Sequence, residues 1–189
     1  MEHVLSTAMV NSPIILTNAK GCYAPEIGEH VFGLLFALTR GIALQAMQMG
    51  EKRWARRGGQ LYELRGMTMG IVGFGGIGRE TARRAKAMDM RVVGADIMPM
   101  HPEQVGHLAE NLYLVDGGGL EKLLGESDVV VSAAPHTRKS EGMFGEREFA
   151  LMKRGAYFNQ RLARQACANA RTRQSAHRKR LAGAGLDVT

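Results

Sequence analysis

The chain has 189 residues, enough for one domain of ordinary size with a substantial core or for one domain and part of another. Its composition, 45% hydrophobic with 24 glycines, suits a globular α/β protein, and no apolar run reaches the length of a membrane span. The net charge of +7 belongs to one segment: seven of the 25 basic residues fall between Arg161 and Arg180 with no acid among them, leaving 18 bases against 18 acids elsewhere. No aromatic residue is interleaved in that segment for stacking on bases, so nucleic acid is not an expected partner.

Taken in order, the chain opens with a short apolar strand expected at Ile14 to Thr17. From Pro25 to about Met47, Ile27, Val31, Leu34, Leu35 and Leu38 recur at spacings of three and four, which predicts a helix with proline in its first turn. Phe32 and Phe36 lie on a neighbouring face of that helix, so two sides need cover, from a partner subunit or from the helix's own domain. Glu51 to Arg65 reads as a connection, with Trp54 as an anchoring core residue.

Met67 to Ile97 organises the rest. A buried strand (Met69 to Val72) precedes a glycine turn (Gly73, Gly75, Gly78), and a helix with Ala82, Ala85 and Met88 at helical spacing leads to a second strand ending in Asp96. Pyrophosphate binding needs backbone N–H groups at a helix N-terminus and no side chain in the way, which is the physical reason for glycine there. Asp96 follows the third glycine by 18 positions, where a carboxylate can accept both ribose hydroxyls of NAD. The same charge would repel the 2′-phosphate of NADP, and no arginine stands beside it in ADIMP.

A weak helix after Pro102, a strand at Leu112 to Val115 and a helix at Leu120 to Leu124 follow. Asp128 to Pro135 reads as a fully buried strand whose end faces the cofactor crevice, placing Ala134, Pro135 and Thr137 against the dinucleotide. His136 beside it is a candidate base, although a histidine on such a loop is more often a surface or adenine-flanking residue. Glu146 to Met152 predicts a helix, and Ala156 to Phe158 and Gly183 to Val188 predict the last two strands. Cys22 and Cys167 have no metal-ligand spacing, and no metal site is expected.

The stretches TNAKGCYAPEIGEHVFGLLFALTR, ELRGMTMGIVGFGGIGRETARRAKAMDMRVVGAD, SDVVVSAAPHT with SEGMFGEREFALMKRGAYF, and LAGAGLDVT resemble, in order, the D-isomer-specific 2-hydroxyacid dehydrogenases. The resemblance implies a doubly wound parallel sheet of the Rossmann type, with residues 1–18 a remnant of a substrate domain or hinge and 19–189 an NAD-binding domain incomplete at its C-terminus. It implies hydride transfer between NAD and C2 of a small 2-hydroxy or 2-oxo acid. Without a membrane-length apolar run or a basic segment followed by an apolar one at the N-terminus, a cytoplasmic protein is expected. Gly73, Gly75, Gly76, Ile77 and Gly78 would hold the pyrophosphate, Asp96 the adenosine ribose, and Asp187 would lie near the nicotinamide carboxamide. The helix from Pro25 to Met47 resembles the family's dimerisation element, which implies a homodimer.

One segment departs from the family pattern. After GAYF the family expects a strand end like INVSRG, whose arginine is catalytic, whereas this chain reads NQRLARQACANARTRQSAHRKR. The codons TTC-AAT-CAA-CGT-CTC-GCG-CGG-CAA-GCT-TGT encode Phe158 to Cys167, and deleting one A yields codons for FINVSRGKL. Residues 159–180 are therefore expected to be aberrant, a frameshifted translation with a second slip before Leu181. Ala163 then stands at the arginine position, and the chain by itself is expected to lack turnover.

Overall fold

The computed structural model describes residues 6–15, 17, 19, 21–53, 61–100, 102–135, 137, 139–160 and 180–187. Trp54, His136, Ala163 and the basic residues from Arg161 to Lys179 lie outside the described residues.

Among the described residues six strands form one sheet: β1 (Thr68–Val72), β2 (Arg91–Asp96), β3 (Asn111–Leu114), β4 (Val129–Ser132), β5 (Ala156–Gln160) and β6 (Leu181–Leu186). All neighbours are parallel, in the order β3-β2-β1-β4-β5-β6. Strand order reverses between β1 and β4, so a crevice opens beyond their carboxyl ends, where ligands bind in doubly wound sheets.

Helices cover both faces, as a parallel sheet demands. On one side α2 (Ala24–Thr39) and α4 (Gly76–Ala87) bury Val31, Phe32, Leu35, Ala82 and Ala85 against Met69, Ile71, Val92, Val129 and Val131. On the other, α6 (Leu120–Glu126) and α7 (Glu146–Leu151) place Leu123, Leu124 and Phe149 on Val72, Val93, Val130 and Phe158. The side-chain alternation along β1 sends Met69 and Ile71 one way and Val72 the other. The short α1 (Thr7–Val10), α5 (Pro102–Val105) and a 3₁₀ turn (Gly106–Leu108) are further helical elements among the described residues. Val115–Gly119 is a kinked turn, with Gly117 and Gly118 at positive φ, rather than a regular helix.

Three expectations are corrected. Over Ile14 to Thr17 the described residues Ile14, Ile15 and Thr17 are not in a strand: all three are exposed, and the local hydrogen bonding belongs to α1, capped by Ser6. The helix expected over Pro25–Met47 is two helices, α2 and α3 (Ile42–Gly50), bent by 66°. Gly41, in the left-handed region at φ 63°, makes the break that periodicity alone could not register. Met88 is the C-cap of α4 and exposed, because the helix ends before it can turn inward.

Much of α2 finds cover inside its own chain. Phe32 packs in the core beside α4, while Leu34 and Leu38 lie over the glycines of β6. The apolar residues of α3 do not: Ile42, Met47 and Met49 are all more than half exposed. Among the described residues, no single helix is long and apolar enough to cross a membrane.

Candidate functional site

β1 ends at the glycine turn, and each glycine does different work. Gly73 sits at φ 90°, donates its N–H to the Ala95 carbonyl at 2.8 Å, and leaves no room for a Cβ, which would fall 2.4 Å from the Ala134 nitrogen. At Gly78 a Cβ would stand 2.2 Å from the Gly73 carbonyl oxygen, so this glycine lets α4 approach β1. Around Gly75 a Cβ would meet nothing within 4 Å. That space is open, and it lies at the N-cap of α4, where backbone N–H groups point outward. No acid occupies the first turn of α4, so the positive end of the helix dipole is not neutralised locally. Gly76 and Ile77 form that first turn, Gly76 exposed and Ile77 half-buried.

Asp96 ends β2 beside this turn. Its Oδ2 accepts the Phe74 N–H at 2.8 Å and its Oδ1 the Met98 N–H at 3.2 Å. Both bonds come from backbone, so the carboxylate is held in one orientation. Each oxygen keeps a further lone pair for a ribose hydroxyl.

A crevice enclosing about 50 Å³ brings Gly73, Asp96, Ala134, Pro135 and Thr137 together with Val72, Ile97, Val115, Lys139, Ser140 and Met143. Five of the ten residues expected at the cofactor thus line one cavity, and Gly75, Gly76, Ile77 and Gly78 stand in the glycine turn and the helix start that follows it. Asp187 is apart, just past the end of β6, where its backbone N–H donates to the Gln160 carbonyl at 3.0 Å. The enclosed volume is far below the ~300 Å³ of a pocket that swallows a whole organic ligand, so it has room for at most one end of a dinucleotide. The remainder would run over the open surface at Gly75.

Sequence reading missed Ile97, Val115, Lys139, Ser140 and Met143. Ile97 and Val115 carry a weak signal as apolar residues at strand ends, and Ile97 is half exposed. Ser140 carried none, because its role depends on loop shape: its hydroxyl donates to the Pro135 carbonyl at 2.6 Å and accepts the Thr137 N–H at 2.8 Å. The buried Ser140 thereby fixes the loop that follows β4.

The residues present fit a dinucleotide. A cradle that excludes side chains at Gly73 and Gly78 but leaves Gly75 open, a helix N-terminus, and an anchored carboxylate one strand away define the class: a doubly wound dinucleotide-binding domain. Within that class, residues 32–189 match the family model of the D-isomer specific 2-hydroxyacid dehydrogenase NAD-binding domain, and the chain belongs to this family. Its cofactor is NAD.

Relatives bear this out. The chain is 32% identical over 157 residues to the D-3-phosphoglycerate dehydrogenase of Archaeoglobus fulgidus, covering 82% of this chain and 28% of that protein. It is 34% identical over 188 residues to the glyoxylate reductase of Pyrococcus furiosus, covering 95% and 52%. Among solved structures, the D-lactate dehydrogenase of Aquifex aeolicus complexed with NAD and lactic acid matches with a TM-score of 0.75 at 26% identity, covering 88% of this chain and 49% of that one. The chain thus spans about half or less of the relatives it matches.

Proposed function

We propose that this chain is the cofactor-binding part of an NAD-dependent oxidoreductase acting on the CH–OH group of a D-2-hydroxy acid. When bound, NAD supplies the hydride acceptor, nicotinamide C4, for hydride leaving substrate C2. The observation that carries the reading is the anchored Asp96 beside the glycine turn. In this reading Gly73, Gly75, Gly76, Ile77 and Gly78 hold the pyrophosphate, Asp96 the adenosine ribose, Ala134, Pro135 and Thr137 the crevice wall, and Asp187 the nicotinamide end. Titration of NADH fluorescence tests it: NADH binds more tightly than NADPH, and equal affinities would count against the role of Asp96.

Residues 1–18 belong, in the same reading, to a hinge or substrate domain and 19–189 to the NAD-binding domain, with 159–180 aberrant. Support for an altered frame comes from β5, where Asn159 is 2% exposed and its Oδ1 has no hydrogen-bond partner among the described residues. An aliphatic residue, as in the frame-corrected FINV, would leave no such atom. Sequencing the coding DNA decides the matter, and codons that align with relatives without insertions or deletions would remove it.

Ala163 favours a second reading, a non-catalytic NAD-binding or protein-interaction module, since a methyl group cannot make a bidentate contact to a carboxylate. Reduction of glyoxylate and hydroxypyruvate distinguishes the two. The oxidoreductase reading expects turnover only once the arginine, the frame and the flanking segments of the longer relatives are supplied. The module reading expects NADH binding and no turnover in either form. A homodimer through α2 and α3 is part of the proposal, supported by the exposed Ile42, Met47 and Met49. So is a cytoplasmic setting, consistent with only two, widely spaced cysteines.

A further inference from the structure

The register between α2 and β6 places a histidine on Asp187. α2 runs antiparallel to β6, and its side chains meet the strand at every fourth residue. A Cβ at Gly183 would stand 3.0 Å from Leu38 Cδ2, and one at Gly185 would stand 3.0 Å from Leu34 Cβ. Four residues earlier on the helix and two further along the strand, His30 Nε2 lies 3.3 Å from Asp187 Oδ1. Four helical residues advance ~6.0 Å and two strand residues ~6.6 Å, so the three pairings belong to one packed row. The glycines let the helix sit low enough on the strand for His30 to reach the carboxylate.

Asp187 stands where the second half of a dinucleotide should end. Asp96 on β2 marks the adenosine side and the turn after β1 the pyrophosphate, so the nicotinamide falls on the β4-β5-β6 side of the crevice. The Asp187 backbone is tied to Gln160, but its side chain is held only from α2 among the described contacts.

We infer that His30 is a positioning residue for the nicotinamide end of the site. An imidazole bearing hydrogen on Nε2 donates to Asp187 Oδ1 and leaves Oδ2 to accept from the carboxamide N–H of the cofactor. The neutral ring and the imidazolium both supply that hydrogen. The inference rests on the reading of Asp187 given above. Arg84, the α4 cation beside Gly28 of α2, is engaged elsewhere, paired with Glu80 and Glu29.

The test compares NADH with ADP-ribose, which lacks the nicotinamide, on the full chain by calorimetric titration, with circular dichroism confirming the fold. His30→Ala and His30→Leu weaken NADH binding about 5-fold, the size expected for contacting residues, and leave ADP-ribose affinity unchanged. His30→Gln, which keeps a donor, restores most of the loss. Adding His30→Ala to Asp187→Ala produces no further loss. If the histidine variants bind NADH as the parent does, or lose NADH and ADP-ribose equally, His30 has no such role. If the parent itself fails to bind ADP-ribose, the nucleotide site is wrong and this inference falls with it.

Discussion

Gly75 and Gly78 separate ligand approach from folding at single residues. A methyl at position 78 collides with the Gly73 carbonyl, which is backbone and cannot swing away. Gly78→Ala should therefore cost up to about 3 kcal/mol in urea unfolding. Gly75→Ala faces open space and should leave the unfolding midpoint within about 0.5 kcal/mol of the parent, as for surface changes. Its NADH affinity should fall about 10-fold or more, because the methyl stands where the pyrophosphate meets the helix N-terminus. Asp96→Ala removes both the ribose acceptor and the clamp on Phe74 and Met98, so NADH affinity should drop and discrimination against NADPH should narrow in parallel titrations.

At the scale of elements, two contacts make opposite contributions to stability. Asn159 Nδ2 donates to the Val31 carbonyl, joining β5 to α2, but its Oδ1 is buried without a partner among the described residues. Val31 lies inside α2, where its carbonyl also has an intrahelical donor. Asn159→Leu, nearly the same shape, should then be neutral or stabilising by up to about 1 kcal/mol in thermal unfolding. Arg84 and then Arg83, both bonded to Glu80, hold its carboxyl below the usual carboxylate range. A lowered carboxyl contributes stability above that range and loses it as pH falls through the lowered value. Glu80→Gln should reduce stability at neutral pH by less than about 1 kcal/mol, since these side chains are partly exposed, and flatten this part of the acid limb of the stability profile.

For the whole molecule, the exposed α3 face bears on assembly. If the homodimer forms there, Met47→Glu with Met49→Glu should shift sedimentation toward the monomer without altering NADH affinity, because α3 lies outside the residues lining the crevice. What was legible in the sequence is local in origin. The strand before the glycine turn, the helix after it, Asp96 at the end of β2 and the buried run of β4 all announce themselves through short-range rules of sterics, periodicity and charge. The misread at Met88 sits at a helix end, where periodicity stops carrying information. Long-range placement was not legible. The break at Gly41 turns on a left-handed backbone conformation that periodicity does not register, and Ser140 works only through the shape of a loop. His30 reads as one more polar residue on a helix until β6, more than 150 positions later, brings Asp187 beneath it. The sequence by itself determined the nucleotide-binding βαβ unit and its family, because that unit's steric demands fall within some thirty consecutive residues. Only the tertiary structure decided which faces are covered, how the crevice wall is braced and what holds Asp187, because those contacts join segments that no local pattern links.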